Sequence, residues 1–229
     1  MPVVSKSITA MDSGMGQAAG IAPLSGPLPD NAGMPGTTHL LYLHGFRSSP
    51  ASFKAQRLAA WLASHRPDVR WWCPQLPPSP AAAWALVQQG LCGWPPQTMA
   101  VVGSSLGGFY ATAVAEASGC RAVLLNPAVD PARDLAGHVG ELTQFHAPAQ
   151  RFVFRPEFIA ELRALAVPRI TQAERYAAVI AQGDELLSWQ EMAGRYPGAK
   201  LRLLPGSDHA LSDFDAHLPF VLQHLGWAA

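Results

Sequence analysis

Ser105 stands between Gly103 and Gly107 in the stretch VVGSSLGGFY, directly after an apolar run. Far downstream, Asp184 ends the segment RYAAVIAQGD, and His209 lies in PGSDHAL. These three residue types can act in concert. A free serine hydroxyl is a poor nucleophile and needs a base to take its proton as it attacks. An imidazole suits that task because its ordinary pKa lies near neutrality, about 6.5. A carboxylate can then fix the tautomer of the base and favour the imidazolium that forms. The two glycines point to geometry. A sharp strand-to-helix turn crowds neighbouring backbones against the positions two before and two after the serine, and only small residues fit there. Ser104 lacks this framing, being flanked at that spacing by Val102 and Leu106.

The elements that would have to position these groups can be read from hydrophobic patterning. Short apolar runs at 39–45, 69–76, 98–104, 121–128, 175–184 and 199–206 read as buried strands. Between them lie stretches with helical spacing: 51–65, 80–91 with Pro80 at its start, 106–118, 186–196 and 212–226, the last with Pro219 as a possible kink. Strands alternating with helices predict an α/β fold, a mostly parallel sheet of about six strands with helices on both faces. In such sheets ligands bind outside the carboxyl ends of the strands. Ser105, Asp184 and His209 follow the third, fifth and sixth predicted strands. That order, with a G-x-S-x-G turn, is the one expected of an α/β-hydrolase. Alone, G-x-S-x-G is a weak signal in a chain with 20 glycines; its place between a strand and a helix gives it meaning. Asp130, after the fourth strand, is a second candidate for the carboxylate, and Asp184 is preferred on chain order.

A developing oxyanion also needs donors. The N–H of Leu106, at a helix N-terminus, is one candidate. The N–H of Phe46, in the loop LHGFRSSP after the first strand, is the other. Arg47, Ser48 and Ser49 are expected either to touch substrate or to make turn hydrogen bonds. His44 is expected to shape this loop, and Asp208 to support the loop that carries His209. His217 and His224 are expected at the surface. His138 and His146 fall in the segment 129–174, where the strand–helix rhythm breaks. That insert contains a predicted helix ended by Pro168 and an apolar side from Phe145, Phe152, Phe154 and Phe158, and reads as a short cap over the site. Trp71 and Trp72, adjacent on a strand, should face opposite sides of the sheet.

Composition excludes several classes. The chain has 229 residues, 49% hydrophobic, with 16 Lys plus Arg against 16 Asp plus Glu. A net charge of zero with no basic patch argues against nucleic acid as a partner. Cys73, Cys92 and Cys120 form neither a disulfide framework nor a metal-ligand spacing, and no nucleotide-binding glycine motif is present, so neither metal nor cofactor is expected. No apolar stretch approaches the ~18 residues of a membrane span. No signal peptide is read at the N-terminus, and a cytoplasmic location is the default expectation. Residues 1–36, rich in Gly, Ala, Pro and Met, read as a flexible arm ahead of a catalytic domain at 37–229, and Met34 as an alternative translation start.

The segments LYLHGFRSSPASFKA, GSSLGGFYAT, LLNPAV, FIAELRALAVPRI, QGDELLSW and GSDHALSDF together resemble the bacterial YqiA-like esterases, small α/β-hydrolases. The resemblance spans residues 39–226 and says nothing of 1–36. It implies Ser105 as nucleophile, Asp184 as acid and His209 as base. It further implies an acyl ester or thioester as the small-molecule substrate. Acyl transfer or thioester cleavage with the same three residues, and a non-catalytic binding protein on the same fold, are the competing expectations.

Overall fold

The computed structural model describes residues 36–145 and 147–227. The arm expected over residues 1–36 falls almost wholly outside the described residues, as do Met34 and His146.

Six parallel strands form the main sheet: β1 (His39–Leu43), β2 (Arg70–Trp72), β3 (Met99–Ser104), β4 (Arg121–Leu125), β7 (Tyr176–Ala181) and β8 (Lys200–Leu204). Their spatial order is β2-β1-β3-β4-β7-β8. The central strands β3, β4 and β7 are buried at every position, which is why they read as continuous apolar runs. Strand β2 is shorter than its apolar run because Pro74 cannot donate to the ladder.

Alternation along β1 splits the core in two. Leu41 and Leu43 face a cluster built with α2 (Pro80–Gly90), α3 (Leu106–Ser118) and α6 (Trp189–Arg195). Leu40 and Tyr42 face the cluster of α1 (Phe53–His65) and α7 (Phe214–His224). Trp71 and Trp72 part in the same way, Trp71 packing near Tyr42 and Trp72 near Trp94. Local chemistry starts and stops the helices. Ser79 caps α2 by accepting from the Ala82 N–H, with Pro80 in its first turn, and α3 ends at Gly119 with φ 80°.

The insert after β4 holds the short helix α4 (Pro131–Asp134), an antiparallel hairpin of β5 (Gly140–Thr143) and β6 (Arg151–Phe154), and α5 (Glu157–Leu165). The helix was legible in the sequence and the hairpin was not. Phe154 and Phe158 are buried, whereas Phe145, read with them as part of one apolar side, is largely exposed. Two further expectations fail. His217 and His224 are both buried, because the face of α7 that carries them turns toward the sheet and β8 rather than toward solvent. Among the described residues no helix is long and apolar enough to cross a membrane.

Candidate active site

The turn from β3 into α3 is built on two close approaches. A β-carbon on Gly103 would run into the Gly107 carbonyl, and one on Gly107 into the carbonyl of Leu43 on the neighbouring strand. Gly108 is confined as well, with Pro127 only 2.6 Å from where its β-carbon would lie. Between them Ser105 adopts φ 55° and ψ −122°. A non-glycine residue held there costs about 1–3 kcal/mol. Backbone bonds impose the conformation: the Ser105 N–H donates to Leu125, and its carbonyl accepts from Gly108 and Ala128. The strain lifts the hydroxyl off the end of the sheet.

Two other strand ends deliver the remaining groups. Asp184 follows β7, and its side chain is wholly buried. Its Oδ1 accepts from the Leu186 and Leu187 N–H groups at 2.9 and 2.8 Å. That leaves Oδ2 facing His209 Nδ1 at 2.7 Å. Since a carboxylate only accepts, Nδ1 carries the proton. The neutral ring therefore presents a bare Nε2, which lies 3.0 Å from Ser105 Oγ and can accept its proton. The structure thus brings Ser105, His209 and Asp184 into one hydrogen-bonded line. Asp130 is elsewhere, capping α4 through the Arg133 N–H. Asp208 is bonded to the backbone and hydroxyl of Ser212, steadying the loop and not the ring.

Leu106 opens α3, where N–H groups have no partner within the helix. Phe46 lies in the loop after β1. That loop is seated on the serine: a β-carbon on Gly45 would stand 3.2 Å from Ser105 Cβ. His44 fixes its course. His44 Nε2 accepts from the Leu76 N–H at 3.0 Å, so Nδ1 holds the proton and donates to the Gly45 carbonyl. The Phe46 ring meets Phe154 edge-on, docking the loop against the insert. Arg47 does the same from its other side, donating to the carbonyl and hydroxyl of Thr143 on β5. Ser48 and Ser49 make turn hydrogen bonds.

Three positioning residues escaped the sequence reading. Asn126, fully buried after β4, donates through Nδ2 to the carbonyls of Asp208 and His209 and accepts from the Ala181 N–H. Glu185, next to Asp184, accepts from the backbone N–H of His209 at 3.0 Å. Lys54 donates to the Ala210 carbonyl. A polar residue closing an apolar strand was the available signal for Asn126. For Glu185 and Lys54 there was none.

A cavity of about 700 Å³ opens onto Ser105 and His209. Phe46, Leu106, Leu135 and Leu187 give it hydrocarbon walls, and exposed Phe53, Phe145 and Leu186 border it. His138, in the insert, is exposed and also lines this cavity.

A model described as Uncharacterised protein family (UPF0227) matches residues 39–226. Solved structures share the fold at low identity. One from Agrobacterium vitis S4 aligns with a TM-score of 0.66 at 18% identity, covering 84% of this chain and 90% of that one. Mouse alpha/beta hydrolase domain-containing protein 10 aligns at 0.62 and 18%, covering 81% and 88%. A structure of the metagenome-derived lipolytic enzymes LipS and LipT aligns at 0.60 and 16%, covering 84% and 95%. The fold is that of the α/β-hydrolases.

Proposed function

The chain belongs to UPF0227, the YqiA family, and from that footing we propose that it is a serine hydrolase cleaving carboxylic esters through an acyl-enzyme intermediate. Ser105 Oγ attacks the ester carbonyl carbon while its proton passes to His209 Nε2. The carbonyl oxygen becomes an oxyanion held by the N–H groups of Phe46 and Leu106. Asp184 Oδ2 balances the charge that develops on the imidazole. Collapse of the tetrahedral intermediate breaks the bond to the alcohol oxygen, which takes the proton from His209. Water then repeats the sequence on the acyl group, with His209 as base, and frees the acid and Ser105.

The observation that carries this reading is the placement of His209, with Nδ1 2.7 Å from Asp184 and Nε2 3.0 Å from Ser105. The strained backbone at Ser105 supports it, because strain of that size is retained where a side chain must be presented. The apolar cavity walls favour an acyl or alcohol arm of hydrocarbon character. The lipolytic names among proteins of this fold agree with an ester as substrate.

A fluorophosphonate probe and a 4-nitrophenyl ester test the reading together. Wild-type protein is expected to label at Ser105 and to release nitrophenol. Ser105→Ala should neither label nor turn over, with a fall of about three orders of magnitude or more. An unlabelled but folded wild type would favour a binding protein on the hydrolase fold. Parallel acyl thioesters separate ester from thioester preference.

A further inference from the structure

The insert after β4 borders the cavity, and it also grips the loop of Phe46 at two places. At the tip of the hairpin, Arg47 donates to the carbonyl and hydroxyl of Thr143 at 2.7 and 3.1 Å, and its own carbonyl accepts from the Phe145 N–H. Nearer the open end, three rings of the insert stand edge-on to the ring of Phe46. Their centroids lie 5.1 Å away for Phe154, 5.9 Å for His138 and 6.3 Å for Phe152. Those are spacings and orientations that aromatic pairs prefer. Phe154 is buried and packs against Phe158 of α5 at 5.5 Å. In turn, α5 is fastened to the start of α2, where Glu161 accepts from the Ser79 hydroxyl at 2.7 Å and the Ala81 N–H at 2.9 Å. Contacts thus run without a break from α2 through α5 and Phe154 to Phe46.

The rest of the domain supports this loop less completely. A hollow of about 40 Å³ separates part of it from Leu76, Leu106 and Tyr110. The Gly45 carbonyl is held by His44 and by the Ser48 N–H. The Phe46 N–H has no backbone acceptor among the described residues. That leaves the group open to a ligand, and leaves its placement largely to the ring. Placement matters, because an oxyanion donor works only at about 2.7–3.1 Å from the oxygen it stabilises. A lid that swings away would carry this donor out of range; a wall anchored to α2 holds it there.

We propose that the insert is a fixed part of the oxyanion hole, with Phe154 the positioning residue that holds Phe46, and through it the Phe46 N–H, beside Ser105. The proposal rests on the serine-hydrolase reading and gives the insert a part in the chemical step as well as in enclosing substrate.

The experiment sets Phe154→Leu beside Val153→Ala, whose side chain leaves the opposite face of the same strand and is exposed. With 4-nitrophenyl butyrate, Phe154→Leu should lower kcat by about ten- to a hundredfold while KM stays within about twofold. Val153→Ala should match the wild type. Two ketones separate the oxyanion hole from the cavity walls. Ser105 Oγ adds to the carbonyl carbon of hexyl trifluoromethyl ketone; its proton passes to His209, and the carbonyl π pair becomes the charge on oxygen. Hexyl methyl ketone binds without adding. In Phe154→Leu the inhibition constant of the trifluoromethyl ketone should rise by the factor by which kcat/KM falls, and that of the methyl ketone should not move. The limb of rate against pH set by His209 should also stay in place. Phe152→Leu, at a half-buried ring, should show the same pattern more weakly and carries the test if Phe154→Leu does not fold. Wild-type kinetics in the phenylalanine variants overturn the proposal. So does a loss that the trifluoromethyl ketone does not follow, or one that the methyl ketone shares. If the wild type neither turns over the ester nor is inhibited by the trifluoromethyl ketone, the hydrolase reading fails first, and the proposal falls with it.

Discussion

The side-chain amide of Asn126 donates to the backbone carbonyl of His209 at 3.1 Å. Its Nδ2 also holds Asp208, and its Oδ1 holds the Ala181 N–H at 2.8 Å, so one buried side chain ties the ends of β4 and β7 to the histidine loop. It does so at φ 43°, a conformation that asparagine tolerates better than most residues. Asn126→Ala removes three hydrogen bonds and orphans a buried N–H. Urea unfolding should show a loss of about 2–4 kcal/mol, and kcat should fall more than KM rises. A wild-type unfolding midpoint would contradict this account.

Gly107 meets backbone where a methyl would go, and backbone cannot swing aside as a side-chain tip can. Gly107→Ala is therefore expected to destabilise by about 3 kcal/mol or more, beyond ordinary overpacking. Gly194, near the end of α6 with open space around it, is the control. Gly194→Ala should be neutral or stabilising by up to about 1 kcal/mol. Thermal unfolding of the two variants side by side reads the contrast.

Arg47 clamps the insert to the loop that carries Phe46. Its guanidinium donates twice to Thr143 and lies 4.4 Å over the Phe145 ring, and its carbonyl accepts from the Phe145 N–H. Lysine cannot reproduce a planar fork. Arg47→Lys and Arg47→Ala should both loosen the hairpin, raising KM for a 4-nitrophenyl ester several-fold and speeding proteolysis between residues 140 and 154. An unchanged cleavage rate would show that the clamp is dispensable.

His224 is buried with Nε2–H donating to the Arg175 carbonyl. Burial pushes it down to about 4; its bond to the Arg175 carbonyl pulls the other way, and the charges of Lys200 and Arg121 add to the fall. Between about 4 and the ordinary 6.5, the unfolded chain binds a proton that the folded chain refuses. Stability should thus fall as the pH drops through that window, by about 2 kcal/mol from this group between pH 7 and pH 5. His224→Gln, which keeps an N–H donor, should remove that share. Equal slopes of stability against pH in both proteins would refute the assignment.

The sequence alone determined the strand–helix alternation and the order of Ser105, Asp184 and His209 along it. Both were legible for one reason. Strands buried on two faces must be apolar throughout, so a polar residue at the end of such a run stands out, and the ends are where a parallel sheet exposes side chains. Gly103 and Gly107 were legible too, because backbone crowding leaves no alternative residue. Tertiary structure decided what holds these groups in place. Asn126 and Asp208 are 82 residues apart, and Glu185 and His209 are 24 apart, so their bonds leave no local periodicity to detect. The burial of His217 and His224 and the hairpin in the insert likewise depend on which surfaces meet. Patterning along a chain records which face of an element is apolar, but it does not record what that face is packed against.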